Sequence, residues 1–183
     1  MKKLTKLSII LVIASVLVSN LYATSQTKVW QKIYTGNNYS GAYAITPTKD
    51  GGFIVAGCTE ALDNGESRVY LIKIDESGNT FWERTFGGEK DDVAYAIAPA
   101  KGGNFIVAGY TKSFGNGKSD VYLLKIDEDG NKIWEETFGE EKDDIAYAII
   151  RTEDKKFIIS GYTESFGNGK KDIYLIKVKY NQK

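Results

Sequence analysis

Apolar and polar positions between residues 28 and 179 come in short runs, and none of them holds a helical period long enough for a helix. Four runs recur in order. In the middle of the chain they read "DVAYAIA", "NFIVAGYT", "DVYLLKID" and "NKIWEETFG". Each is rich in aromatic and β-branched residues and is bounded by Gly, Asn and Asp, the pattern of a β-strand between turns. The runs differ in which faces are apolar. Simple alternation in "VAYAI" puts Val93, Tyr95 and Ile97 on one face and Ala94 and Ala96 on the other. "VYLLKI" is apolar on both faces apart from Lys125, so its sheet needs a cover on each side.

The connections predict antiparallel neighbours. "DESGN" (Asp75 to Asn79) and "DEDGN" (Asp127 to Asn131) place Gly where a tight hairpin requires positive φ. "KDGG" from Lys49 and "KGGN" from Lys101 do the same between the first two strands of a unit. The third unit has "TEDKK" there, a turn without its glycines.

The unit repeats. Trp30, Trp82 and Trp134 recur every 52 residues, as do Tyr43, Tyr95 and Tyr147, and Gly57, Gly109 and Gly161. A period of about 50 residues with four strands per period is that of propeller blades. The fold expected is all-β: four-stranded antiparallel blades in three repeats, near residues 28–79, 80–131 and 132–183, within a domain spanning 27–183. The Ala-bearing strand suits the crowded centre. The Trp-bearing strand is then outermost, and Trp30, Trp82 and Trp134 wedge between blades.

These residues resemble a known group. "WERTFGGEKDDVAYAI" with "GGNFIVAGYTKSFGNGKSDVYLLKIDEDGNKIW" is similar to the exported bacterial and archaeal β-propeller repeats found in tandem in cell-surface proteins. "YLIKIDESGNTFW" is also similar to the tryptophan-docking repeat of quinoprotein-type propellers. The resemblance spans Thr27 to Lys179 and implies the repeat, with many possible roles.

A Trp strand (Lys28 to Tyr34) stands before the first unit, and "DIYLIKV" is the last strand. In such permuted propellers the first strand completes the last blade, yet closed rings typically hold about four to eight blades. Three blades therefore point to a partial propeller or to half of a homodimeric, six-bladed ring.

Composition removes several functions. The 24 basic and 24 acidic residues balance, so no field draws the chain to nucleic acid. There is no His, hence neither the commonest general base nor the commonest transition-metal ligand. The lone Cys58 lies in "FIVAGCTE", at a position that is Tyr in the other units, which favours a buried, inert thiol. "MKKLTK", an apolar core from Leu7 to Val18 and small Ala23 read as a signal peptide over residues 1–23, hence an exported protein with no membrane span after cleavage.

Candidate chemistry lies in the long loops, which a meander collects at one end of the blades. Asp91, Asp92, Phe114, Asn116 and Asp120 gather there, with Asp143, Asp144, Phe166, Asn168 and Asp172 from the next unit. Acidic, amide and aromatic groups together suit a glycan, or a hard cation. They equally suit turns in which Asp and Asn satisfy backbone donors and Phe pins the loop. Adjacent Asp91 and Asp92 diverge in extended chain, so they make a poor acid–base pair. The first unit departs from the pattern, with Tyr39 and Ser40 at those positions and Asp63 and Arg68 in the later loop. "DEDGN" lacks the downstream Glu of an EF-hand, and "GGEK" lacks the Lys-Ser/Thr pair of a phosphate loop. No catalytic residue, metal or cofactor is expected. The expectation is an exported, non-enzymatic propeller module that binds a protein or glycan. A carboxylate-dependent or quinoprotein-related enzyme and a fragment of a larger propeller are the alternatives.

Overall fold

A computed structural model of the chain describes residues 29–36 and 39–180. The signal peptide expected over residues 1–23 lies outside the described residues. The chain divides into two compact units, Met1–Gln31 and Lys32–Lys183. Of the first, Val29 to Gln31 are described and carry neither strand nor helix.

The second unit is all-β. Its strands are β1 (Ser40–Pro47), β2 (Phe53–Glu60), β3 (Ser67–Ile74), β4 (Thr80–Phe86), β5 (Asp92–Pro99), β6 (Phe105–Thr111), β7 (Asp120–Ile126), β8 (Lys132–Phe138), β9 (Asp144–Arg151), β10 (Phe157–Thr163) and β11 (Asp172–Val178). They form three antiparallel sheets of four, four and three strands, in the orders β1-β2-β3-β4, β5-β6-β7-β8 and β9-β10-β11. One 3-10 turn, Lys101–Gly103, is the sole helical element among the described residues. The sheets are three propeller-type blades. Among the described residues the third has no outer strand.

The hairpins form as their residues require. Asp75 N donates to Asn79 O at 2.9 Å, and Gly78 and Gly130 take φ of 75° and 79°. "TEDKK" builds the same turn as "TKDGG": Thr152 N donates to Lys156 O at 2.8 Å, as Thr48 N does to Gly52 O at 2.9 Å. Lys155 takes the left-handed position itself, at φ 62°.

Blades stack face to face, and two clusters bind them. Ile54, Ala56, Val69 and Leu71 of blade one meet Phe105, Val107, Tyr122, Leu124 and Ile126 of blade two. On blade two's other face, Ile106, Ala108, Val121 and Leu123 meet Phe157, Ile159 and Val178 of blade three. Both faces of "VYLLKI" are thus covered, each large side chain stabilising the stack by about 1.5–3 kcal/mol.

Simple alternation fails in the inner strands. The β5–β6 register slips between Ala94 and Ala96, leaving Tyr95 as a bulge. Ala94 consequently shares a face with Ile97, while Ala96 and Ala98 line the other. Equivalent slips free Tyr43 and Tyr147.

Trp82 and Trp134 lie on the outer strands β4 and β8. Trp82 packs on the first cluster and its Nε1 donates to Glu128 O in the next blade's hairpin at 3.1 Å. Trp134 packs on the second and lies 4.0 Å from the Tyr180 ring. Trp30 differs. It is exposed, and residues 29–36 carry no strand.

Candidate functional site

The long loops do gather at one end, and their acids are turned inward. Asp92 is fully buried; its Oδ2 accepts from Gly88 N at 2.8 Å and Ser113 Oγ at 2.7 Å. Asp144 repeats this with Glu140 N at 3.1 Å and Ser165 Oγ at 2.5 Å. Buried Asp120 accepts from Asn116 N at 3.0 Å and Gly117 N at 3.1 Å, and Asp172 accepts from Asn168 N at 3.0 Å. Asn116 and Asn168 therefore enter through their backbones. Each Asp clasps the loop that precedes its strand.

Asp91 and Asp143 do different work. Asp91 pairs with Lys112 at 2.8 Å and accepts from Ser67 N at 2.9 Å. Burial pushes Asp91 up, but the bonds from Lys112 and Ser67 prevail and hold it below the usual carboxylate range. Asp143 forms a parallel bridge with Ser119, and Asp144 N donates to Ser119 O at 2.7 Å, which ties blade three to blade two. Asp91 and Asp92 diverge as expected, one half-exposed and one buried. Phe114 and Phe166 pin their loops, with rings 5.9 Å from Tyr122 and 5.6 Å from Tyr174. In blade one, Arg68 pairs with Asp63 at 3.3 Å, and Ser40 Oγ lies 2.8 Å from Thr59 Oγ1.

One pair of these acids is chemically distinct. A Cβ built on Gly139 would touch both Asp120 Oδ1, at 2.1 Å, and Asp144 Oδ2, at 2.6 Å, so the two carboxylates flank that glycine. Burial, reinforced by the Asp144 charge, holds Asp120 above the usual range despite its two N–H bonds. Among the described residues no group of three or more acid or thiol ligands converges as a metal site.

The exposed chemistry lies beside these loops, on the inner strands. Tyr43 and Tyr95 have ring centroids 5.1 Å apart, and Tyr95 and Tyr147 5.2 Å. Tyr110 flanks Tyr95 at 5.9 Å and Tyr162 flanks Tyr147 at 6.0 Å. Lys171 Nζ stands 4.1 Å above the Tyr162 ring. Tyr43 and Tyr147 remain about half exposed and Tyr95 between them is half-buried, so the ladder meets solvent chiefly through the rings of blades one and three.

The backbone dictates the ladder. A bulge pushes the carbonyl two residues before each Tyr onto the facing strand, so the residue opposite must be Gly. A Cβ on Gly57, Gly109 or Gly161 would lie 1.8, 1.9 or 1.8 Å from Gly41 O, Val93 O or Ile145 O. The bulged tyrosine, released from both packed faces, projects outward. The period of 52 residues announced these tyrosines and glycines. The alternation rule hid them, by placing Tyr95 on one face with Val93 and Ile97.

Three of the phenols are held in their protonated form. A hydrogen bond with Tyr39, and burial, push Tyr43 up, and burial pushes up Tyr95 and Tyr110. Cys58 is a buried free thiol beside them, its Sγ 4.0 Å from the Tyr43 hydroxyl, and burial pushes it up as well. The group offers flat apolar faces and hydroxyls, not a nucleophile.

A second concavity of about 330 Å³ lies at the short-turn end between blades two and three. Lys101, Lys125, Arg151, Lys155 and Lys179 line it with Asp154 as the acid. Asp154 already pairs with Lys156 at 2.8 Å, and the Tyr180 ring there is stacked on Trp134. Ala100, Ile106 and Phe157 complete its walls, so cationic chains there surround an apolar floor.

No protein-family model matches the chain, and no curated protein matches it. Among solved structures it is similar to a protein of unknown function from Bacteroides caccae, with 12% identity and a TM-score of 0.35. That match covers 72% of this chain and 56% of the other, so the chain spans little more than half of that protein's length.

Proposed function

We propose that the chain is an exported, non-enzymatic propeller module that binds a glycan along the ladder of Tyr43, Tyr95 and Tyr147. The carrying observation is three contiguous phenol rings set at the repeat period, the two outer ones about half exposed and Tyr95 half-buried between them. A sugar presents C–H faces and hydroxyls, and a tyrosine meets both with its ring and its hydroxyl. Tyrosine also fixes few rotatable bonds on binding. Support for a binding role over catalysis comes from the carboxylates. One oxygen of each of Asp92, Asp120 and Asp144 is taken up by loop N–H groups or a hydroxyl, and Tyr43 and Tyr95 stay protonated. The kinship with exported propeller repeats and tryptophan-docking propellers belongs to the same reading, supported by the way Trp82 reaches the next blade's hairpin. No cofactor enters it.

The test is a glycan array probed with the wild-type protein, Tyr95→Ala and Tyr95→Phe. A glycan bound by wild type, weakened tenfold or more by Tyr95→Ala and retained by Tyr95→Phe, supports the reading. An array with no binder, or binding indifferent to Tyr95→Ala, overturns it. Turnover on a panel of glycoside substrates overturns the non-enzymatic part.

A further inference from the structure

Blade two buries Val121 and Leu123 to 1% and 0% exposure against blade three. One repeat later the same positions are Ile173 and Leu175, at 86% and 64%. Ile150, where blade two has buried Ala98, is 60% exposed. The open face of blade three is thus the apolar face that blades one and two each press against a neighbour.

Its counterpart is also in the molecule. The face of blade one bearing Tyr70, Ile72 and Ile74 corresponds to the Tyr122, Leu124 and Ile126 face that receives Val69 and Leu71 at the first junction. Here it holds a hollow of about 190 Å³, lined by Val55, Gly57, Tyr70 and Ile72 with Tyr34 at its side. Ile45 on that face is 60% exposed, while its equivalents Ile97 and Ile149 are each at 9%.

The segment before β1 is poised in the manner of an outer strand. Lys32 Nζ donates to Asn79 Oδ1 at 2.7 Å, and Tyr34 packs on blade one with its hydroxyl donating to Gly78 O at 2.9 Å. Arg84 and Phe86, one repeat later, make the corresponding approaches to blade two, with Arg84 reaching Asp129 O at 3.4 Å. β4 pairs with β3, whereas residues 32–36 pair with no strand.

We infer that a second copy of this chain docks its blade-one face on the open face of blade three, and the reverse, to give a homodimer of six blades. The interface is the third instance of one already built twice inside the chain, with Ile173 and Leu175 entering the hollow beside Tyr70 and Ile72. Residues 32–36 of one copy then pair with β11 of the other and supply its outer strand. The polar rim fits too: the repeat sets Asp172 against Ser40, a carboxylate against a hydroxyl, where the internal junction has Asp120 against Asp144. Tyr147 would stand one repeat from Tyr43 of the second copy, so the tyrosine ladder becomes a closed belt. Head-to-tail contacts form rings where the rotation closes, and six blades lie in the usual range of about four to eight.

The experiment is sedimentation with light scattering on protein purified from cells expressing the full chain, alongside Leu175→Asp. A dimer at micromolar concentration that Leu175→Asp converts to monomer, with unchanged circular dichroism, supports the interface. Monomer throughout, an open series of larger species, or a dimer indifferent to Leu175→Asp overturns it. Orientation is read separately, by mixing Ser40→Cys and Asp172→Cys proteins with a short thiol crosslinker. Crosslinked dimer confined to the mixture supports head-to-tail docking, and crosslinking of either variant alone contradicts it. The glycan array is independent of all these outcomes, so this inference and the binding role fail separately.

Discussion

Blade two and blade three share one sequence pattern and differ in their surroundings. β7 and β11 read "DVYLLKI" and "DIYLIKV", yet the first is buried on both faces and the second on one. Burial is therefore not written in the strand. It is conferred by the neighbour, and a repeat unit carries its interface residues whether or not the neighbour is present in the same chain.

The largest effect expected from breaking this comparison is a truncation made twice. Leu123→Ala should cost about 2–5 kcal/mol, the range for a buried leucine. Leu175→Ala in dilute protein should stay within about 0.5 kcal/mol, as for a surface position. Chemical denaturation of the two variants at submicromolar concentration measures the difference, and equal costs would show that blade three is covered.

Next come the aromatic residues that join blade to blade or loop to blade. Trp82 is half-buried and hydrogen-bonded into the neighbouring hairpin, so Trp82→Ala should cost about 2–4 kcal/mol. Phe114 fastens a loop within its own blade, and Phe114→Ala should cost about 1 kcal/mol. A Phe114 loss as large as that of Trp82 would mean that the loops, not the blade contacts, hold the stack together.

The smallest effect is one of pH, at the junction between the two blades. Asp120 has a raised folded pKa, so its contribution is fully present below the unfolded value of about 3.9 and is lost as pH rises through the folded one. Asn at this position keeps an oxygen for Asn116 N and Gly117 N and removes the charge beside Asp144. Asp120→Asn should thus melt with wild type near pH 3 and above it near pH 7. A variant less stable than wild type at pH 7 would assign the clasp more weight than the charge.

How much of this was legible in advance follows from what each residue depends on. The repeat fixed strand order, hairpins and the outer place of Trp82 and Trp134, because local turn chemistry and spacing suffice for those. The Asp clasps were half-legible. "SFGNGKSD" shows an Asp near loop donors, but only the fold shows Asp92, Asp120 and Asp144 buried. The tyrosine ladder was missed, because a bulge at Tyr95 depends on what stands across the ladder, and Gly109 is 14 residues away. The strand expected at Lys28 to Tyr34 is not seen in the described residues 29–36, since strand pairing depends on what lies across the ladder and not on the run of residues alone.

Hydrogen exchange of the peptides spanning β7 and β11 tests the central claim most directly, since the two strands differ in cover more than in sequence. In dilute protein β7 should exchange slowly and β11 quickly, and β11 should approach the protection of β7 as concentration rises through the micromolar range. Protection of β11 equal to that of β7 in dilute protein, or fast exchange of β11 at every concentration, would contradict the account.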